Sequence, residues 1–354
     1  MNIIGELNMR KSKLTFIAVS IFICLLLLGP AYSVQDGDAG KSETDSQGVT
    51  TVQSDQIPQT VKFALKFAKG QSENYRLQTL AQRKVSVNGS LPENTDSFQG
   101  GQTTDKIDMV FNQQVQSVDA AGNAIEKITI KQLKYYAEIR NKAELDFDST
   151  KDKEPNNALF ALIGKSYTIE MTPSGKVSKI IDINALRAAI KDKPSYSAVA
   201  GRLVSDKTIE KNHSIPLPDA NDSMLSNGGK WSNITSFDFG LMGVKSYQKT
   251  YTLKKIEKNG QVITAIADMN GIPSVAGTKE EYEEGAGPVN LPMSDVRLTY
   301  AGQMVFDASE GVLTKYDEDL KNEWLMVLPV TGETGTPLSL SMTAIQSYKI
   351  EKIK

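Results

Sequence analysis

Asp119–Ile130 (DAAGNAIEKITI) decides the fold, because residues 257–268 (EKNGQVITAIAD) repeat its pattern. Each stretch places a glycine in a polar turn ahead of alternating apolar residues. Each is followed, after nearly the same length of chain, by a second glycine-led segment, 175–180 (GKVSKI) in one copy and 311–316 (GVLTKY) in the other. Matched residue classes at matched spacing predict a duplicated structural unit.

Alternating apolar and polar residues around these turns predict antiparallel strands with one dry face and one wet face. Tyr167, Ile169 and Met171 share one face of such a strand. Within residues 128–139 the apolar positions change from even to odd numbers at Lys131-Gln132. We therefore expect a β-bulge or a strong bend there, which would keep one continuous apolar face.

Turn and helix signals follow in both copies. Asn259-Gly260 and Pro173-Ser174-Gly175 predict tight hairpin turns. An apolar stripe between Asp182 and Pro194 predicts a helix, followed by further helical segments up to residue 209. In the second copy, Asp317–Trp324 occupies the corresponding place and predicts a shorter helix.

The predicted fold class is α+β with mostly antiparallel β structure. Two duplicated meander-plus-helix units form curved sheets, either side by side or fused into one larger sheet. The predicted divisions are a signal peptide (1–33), a flexible tether (34–59), a first unit (60–212) and a second unit (213–354).

The N-terminus predicts export. Basic residues precede an apolar run, Leu14–Leu28, and Ala31-Tyr32-Ser33 offers small residues for cleavage. The expected location is extracytoplasmic, either the periplasm or secreted. A retained membrane anchor is the alternative, whereas lipidation at Cys24 is disfavoured because no small residue precedes it. Cys24 is the only cysteine, so a cleaved chain would contain no thiol.

Composition argues against several functional classes. A formal net charge of −2 with interspersed charges leaves no basic footprint for nucleic acid. His213 is the only histidine, and its polar neighbours predict a surface position. The acidic clusters at 280–284 and 317–319 lack the spacing of a calcium loop. We predict no catalytic residues, no metal site and no cofactor.

A resemblance extends over most of the chain. The segments KGQSENYRL (69–77), DAAGNAIEKITI (119–130) and LIGKSYTIEMTPSGKVSKI (162–180) resemble a family of uncharacterised secreted bacterial proteins. More distantly, a β-meander with helices is similar to periplasmic lipoprotein carriers and related lipid-binding lipoproteins. That resemblance implies a curved sheet closed over helices around an apolar cavity.

We therefore expect a non-enzymatic binding or carrier protein for an apolar ligand such as a lipid or lipoprotein, with no stable membrane span after signal cleavage. The alternatives are an envelope structural module that binds a protein or glycan, and a carboxylate-based hydrolase. Aromatic residues on strands and apolar residues on the predicted helix would line either a packed core or a ligand cavity. The candidates are Tyr75, Tyr135, Tyr167, Leu186, Ile190, Trp231 and Trp324.

Overall fold

The computed structural model describes residues 57–88, 100–240, 243–275, 293–328 and 338–354. The predicted signal peptide, Cys24 and the tether up to residue 56 lie outside these ranges, as does the acidic cluster at 280–284. The fold is α+β and mostly antiparallel β, as predicted.

Within the described ranges, twelve strands form one antiparallel sheet, in the order β7-β6-β4-β3-β2-β14-β13-β12-β11-β10-β9, with β5 paired to β4. Two short strands, β1 and β8, pair separately. In the described ranges, the first seven strands are β1 (Thr60–Lys62), β2 (Ser72–Asn88), β3 (Gly101–Val118), β4 (Ala124–Ile139), β5 (Lys142–Asp148), β6 (Ser166–Met171) and β7 (Val177–Asp182). The later strands are β8 (Met224–Ser226), β9 (Lys230–Asp238), β10 (Val244–Asn259), β11 (Val262–Ser274), β12 (Met293–Asp307), β13 (Val312–Leu328) and β14 (Leu338–Ile353).

The two repeated stretches lie in separate meanders that share one sheet. β14 joins them, since it pairs with β13 on one side and with β2 on the other. Its pairing with β2 runs from Ser339↔Asn88 to Ile353↔Asn74. Of the two arrangements that we predicted, the strand order shows the single fused sheet. The boundary between residues 212 and 213 stays a prediction.

The sheet is rolled in its second half, so that β10 faces β13 across the interior. Lys249 on β10 donates a hydrogen bond to Glu318 on β13 at 3.0 Å. The hydroxyls of Tyr251 and Tyr316 are 2.9 Å apart. β11 and β12 separate these strands within the sheet, so only strong curvature can bring the side chains together.

The described ranges contain four α-helices, one before the β6–β7 hairpin and three after it, and each contributes buried residues to the core. They are α1 (Ala158–Ala161), α2 (Asn184–Lys191), α3 (Ser197–Leu203) and α4 (Asp206–His213). The predicted helix is α2. At its start, the Asp182 side chain accepts a hydrogen bond from the backbone amide of Asn184. Its apolar stripe buries Leu186 and Ile190, which confirms the prediction.

The helix predicted at Asp317–Trp324 is wrong, because these residues belong to β13. β13 pairs with β12 on one side and with β14 on the other. Leu320 and Trp324 are four residues apart, a spacing that places them on one face of a helix and equally on one face of a strand. The two neighbouring strands decide between these possibilities.

The predicted bulge is confirmed. Val110 pairs with Gln132 and Phe111 pairs with Ile130, which leaves Lys131 as the extra residue. The predicted β10–β11 hairpin also forms, but its turn is shifted by one residue. Asn259 pairs with Val262, so Gly260 takes the positive φ, of 59°.

Candidate functional site

An irregular segment crosses one end of the sheet. Residues 63–71, which we call the strap, connect β1 to β2. The Leu65 amide donates to the carbonyl of Pro173 in the β6–β7 turn, at 2.8 Å. The next amide, of Lys66, donates to the carbonyl of Gly311 in the β12–β13 turn, at 3.0 Å. The strap therefore links corresponding turns of the two repeats.

The repeated turn glycines make these close approaches possible. A Cβ atom at Gly175 would lie 2.6 Å from the carbonyl oxygen of Ile215, which follows α4. At Gly311, a Cβ atom would lie 2.7 Å from the backbone nitrogen of Lys66 in the strap. Both glycines also have positive φ, of 78° and 64°. The duplicated glycine is thus a docking point for a crossing backbone in each copy.

A cavity of about 40 Å³ lies beneath the strap. The strap and the end of α4 cover it on one side, and strands from both meanders form the other side. Its walls are mostly apolar. The apolar side chains that face it include Leu65, Phe67, Val115, Met171, Leu313 and Ile350.

A buried carboxyl group, that of Glu126 on β4, interrupts this apolar lining. Glu126 is 1% exposed, and its Oε1 accepts a hydrogen bond of 2.8 Å from the Gln113 amide. Within the described ranges, its Oε2 is buried and has no hydrogen-bond partner. Burial raises the pKa of Glu126 to about 7, although the Gln113 hydrogen bond opposes this effect. The cavity thus contains a carboxyl group that is half ionised near neutral pH.

His213 also lines this cavity, so the predicted surface position is wrong. It is 4% exposed, because the last turn of α4 is directed into the core. Its Nε2 is hydrogen-bonded to the Tyr167 hydroxyl at 2.5 Å, and its ring meets the Phe111 ring edge-on at 5.0 Å. Burial lowers the pKa of His213 to about 4, so the ring is neutral at neutral pH.

Two of the predicted aromatic candidates lie at or beside the cavity. Tyr75 lines it directly. Burial, together with the nearby Glu73 and Glu126, raises the Tyr75 pKa, so its hydroxyl stays protonated. Tyr167 lies behind the lining residue His213, to which its hydroxyl is hydrogen-bonded.

The other five candidates lie elsewhere in the core. Tyr135 donates a 2.6 Å hydrogen bond to Asp105. Leu186 and Ile190 belong to the packed face of α2. Trp231 stacks on the Tyr251 ring at 4.9 Å, and Trp324 lies 4.9 Å from the Phe239 ring. The structure therefore does not bring the seven candidates together.

A second buried polar cluster lies inside the rolled half of the sheet. It consists of the Lys249–Glu318 ion pair, the Tyr316 hydroxyl bonded to Glu318, and the Tyr251 hydroxyl bonded to Tyr316. Burial opposes ionisation of Glu318, but Lys249 and Tyr316 outweigh it and lower the Glu318 pKa. The charges compensate each other, so this cluster stabilises the roll and offers no free group to a ligand.

The described ranges contain neither a metal-binding cluster nor a membrane-spanning helix. They contain no group of three or more His, Cys, Asp or Glu side chains arranged to hold a metal ion. None of the helices in the described part of the chain is long and apolar enough to cross a membrane.

The sequence analysis missed Glu126, although its signal was visible. Ala124, Ile128 and Ile130 occupy the even positions of β4 and are buried. Glu126 shares that parity, so the alternation places a carboxylate on the apolar face. A charged residue in the buried phase of a strand is the pattern that could have identified it.

Comparison with known proteins gives a family. The sequence profile of DUF6263, a family of unknown function, matches residues 121–313, from the first repeated turn to the last. The chain belongs to this family. None of the curated proteins matches it.

Two solved structures have a distant likeness to this DUF6263 member. A structure described as lipid–protein interactions in lipovitellin has 9% identity and a TM-score of 0.35, and covers 82% of this chain. The likeness spans only 26% of that lipovitellin chain. DynF, from the dynemicin biosynthesis pathway of Micromonospora chersina, has 8% identity and a TM-score of 0.18, with 86% of this chain and 93% of that one covered.

Proposed function

We propose that this chain is an extracytoplasmic, non-enzymatic binding protein, located in the periplasm or secreted, that carries a small apolar or amphipathic ligand beneath the strap. The observation that supports it most is the mostly apolar cavity, which an irregular segment covers in place of a sheet strand. Ligand sites are typically concave and apolar, with few polar groups that fix orientation. Glu126, Gln113 and Tyr75 supply such groups here.

The strap provides a route of entry. Its amides are hydrogen-bonded to turn carbonyls at Pro173 and Gly311, and these contacts can break without disturbing a ladder of the sheet. Phe67, half-buried in the strap, lies over the cavity. Rotation of this side chain would open the cavity while the sheet stays intact.

The cavity volume limits what the closed form can hold. One water molecule needs a cavity of roughly 10–15 Å³. A cavity of about 40 Å³ therefore accepts a group of only a few non-hydrogen atoms. The small end of a ligand would therefore occupy the cavity, and a longer apolar part would displace Phe67 and lie along the strap.

Two acidic side chains line the cavity, which raises the question of hydrolysis. Glu73 is ion-paired with Lys352 at 2.8 Å, whereas the buried Oε2 of Glu126 has no hydrogen-bond partner within the described ranges. A carboxylate-based hydrolase needs two groups that can each serve as acid, base or nucleophile. The pairing of Glu73 favours binding over catalysis.

Native mass spectrometry of the protein purified from its own source tests the proposal, together with titration of an apolar fluorescent probe. We expect a co-purifying small apolar molecule, and probe binding that changes severalfold in Phe67→Ala. Val296→Ala is the matched control, because Val296 is an exposed apolar residue outside the cavity. A chain that carries no such molecule and binds the probe equally in both variants would refute the proposal.

A further inference from the structure

The polar end of the ligand can be inferred from the Glu126 carboxyl group. Glu126 lines the cavity, and its buried Oε2 has no hydrogen-bond donor in the described part of the chain. A buried polar group without a partner costs free energy, and a carboxylate costs more than a neutral group. A ligand that supplies a positively charged donor would remove this cost.

We propose that Glu126 binds the protonated amino group of an amphipathic amine, with the apolar part of the amine lying under the strap. This assignment rests on the proposed binding function and names the chemical class of its ligand.

The charges around the cavity favour a positively charged group on the ligand. Glu73 is compensated by Lys352. The Lys66 ammonium is directed to the carbonyl oxygens of Ala308 and Ser309, at 3.2 and 2.6 Å. The ionisable side chains that face Glu126 across the cavity are otherwise Tyr75 and His213, and both are neutral at neutral pH. Among the lining residues in the described ranges, ionised Glu126 is thus the buried charge that has no ion-pair partner, whereas Lys66 is exposed.

The competing head groups fit less well. A carboxylate or phosphate would place a second negative charge beside Glu126 in a poorly hydrated cavity, which is unfavourable. An alcohol could donate one hydrogen bond to Glu126, but it carries no positive charge to compensate the carboxylate. An ammonium group is compact and has three donors, so it suits a cavity of about 40 Å³.

Binding should also depend on pH. Because burial raises the Glu126 pKa to about 7, the free site is partly protonated at pH 6 and largely ionised at pH 8. An ammonium ligand needs the ionised form. Its affinity should therefore rise between pH 6 and pH 8, and binding below pH 7 should release a proton.

Isothermal titration calorimetry with three probes of equal chain length tests the inference: octylammonium, octanol and octanoate. At pH 8 we expect octylammonium to bind at least about tenfold more tightly than octanol, as one charge-assisted hydrogen bond implies. Glu126→Gln should remove this preference. Glu154→Gln should keep it, because Glu154 is an exposed glutamate outside the cavity.

The outcomes separate this inference from the proposed function. If octanol or octanoate binds as tightly as octylammonium, or if Glu126→Gln keeps the preference, the amine assignment fails and the binding function stands. If none of the three probes binds the parent protein, both fail. Circular dichroism of Glu126→Gln shows whether a lost preference reflects binding or misfolding.

Discussion

Replacing Glu126 by glutamine should change the way in which stability depends on pH. The pKa of Glu126 is raised from 4.5 to about 7 by burial. In the unfolded chain the carboxyl ionises near pH 4.5, whereas in the folded protein it keeps its proton up to about pH 7. The folded state is therefore progressively disfavoured as pH rises from 4.5 to 7. Below and above this window, Glu126 adds no further pH dependence.

The magnitude follows from that displacement. Each pKa unit corresponds to about 1.4 kcal/mol, so Glu126 should remove about 3 kcal/mol of unfolding free energy across the window. Glutamine has nearly the same shape and no charge, so Glu126→Gln should not show this loss. Its amide can leave a donor unpaired, which adds a cost that is independent of pH. The variant and the parent differ in their free energy of unfolding. The informative quantity is how this difference changes with pH, and not its value at one pH.

Urea unfolding between pH 4 and pH 9 measures this difference, provided that the transition is two-state. Between pH 4.5 and pH 7, the free energy of unfolding of Glu126→Gln should rise by about 3 kcal/mol relative to that of the parent. Above pH 7 this difference should stay constant. Glu154→Gln should follow the parent throughout. A difference between Glu126→Gln and the parent that is constant with pH, or that falls as pH rises, would show that the carboxyl is not held protonated by burial.

Two further predictions concern the turn glycines and the buried ion pair. Gly311→Ala should cost about 1–3 kcal/mol more than Gly260→Ala, because both have positive φ but only Gly311 has a backbone within contact of the new Cβ; equal losses of unfolding free energy in urea would show that the strap does not press on this turn. Lys249→Met should cost about 3–5 kcal/mol at pH 7, since it leaves Glu318 buried and unpaired. Because the folded pKa of Glu318 is lowered below 4.5, the stability that the pair contributes is complete above pH 4.5 and lost as pH falls through the folded value. Thermal melts at pH 7 and pH 3 should thus differ more for the parent than for the double variant Lys249→Met, Glu318→Gln, and an equal difference would contradict this account.

Local patterns predicted the parts of the fold that depend on local geometry. The bulge at Lys131 followed from a change of alternation within one strand, and α2 followed from an apolar stripe with a cap and a stop. The wrong helix prediction at Asp317–Trp324 has a physical cause. The spacing of Leu320 and Trp324 fits the periodicity of a helix as well as that of a strand, and pairing with β12 and β14 makes the segment a strand. Such pairing depends on residues distant in the chain.

The candidate site was less predictable for the same reason. Parity places Glu126 on the buried face of β4, yet its cavity exists only because Leu313, Ile350 and the strap come together from different parts of the chain. The inward direction of His213 likewise depends on how α4 packs on the sheet. Polar sequence neighbours gave no indication of that packing.

The position of β14 constrains when this protein can become folded. Among the strands of the described ranges, β14 comes last in sequence, yet it lies in the middle of the sheet and bridges β13 to β2, whose residues are among the first in the described fold. A growing chain that has not yet reached residue 338 has two long strands with open hydrogen-bonding edges, which favour association with other chains. Closing the sheet requires contacts of very large sequence separation, which slow folding. The nascent chain should therefore depend on protection from aggregation until residues 338–353 are made.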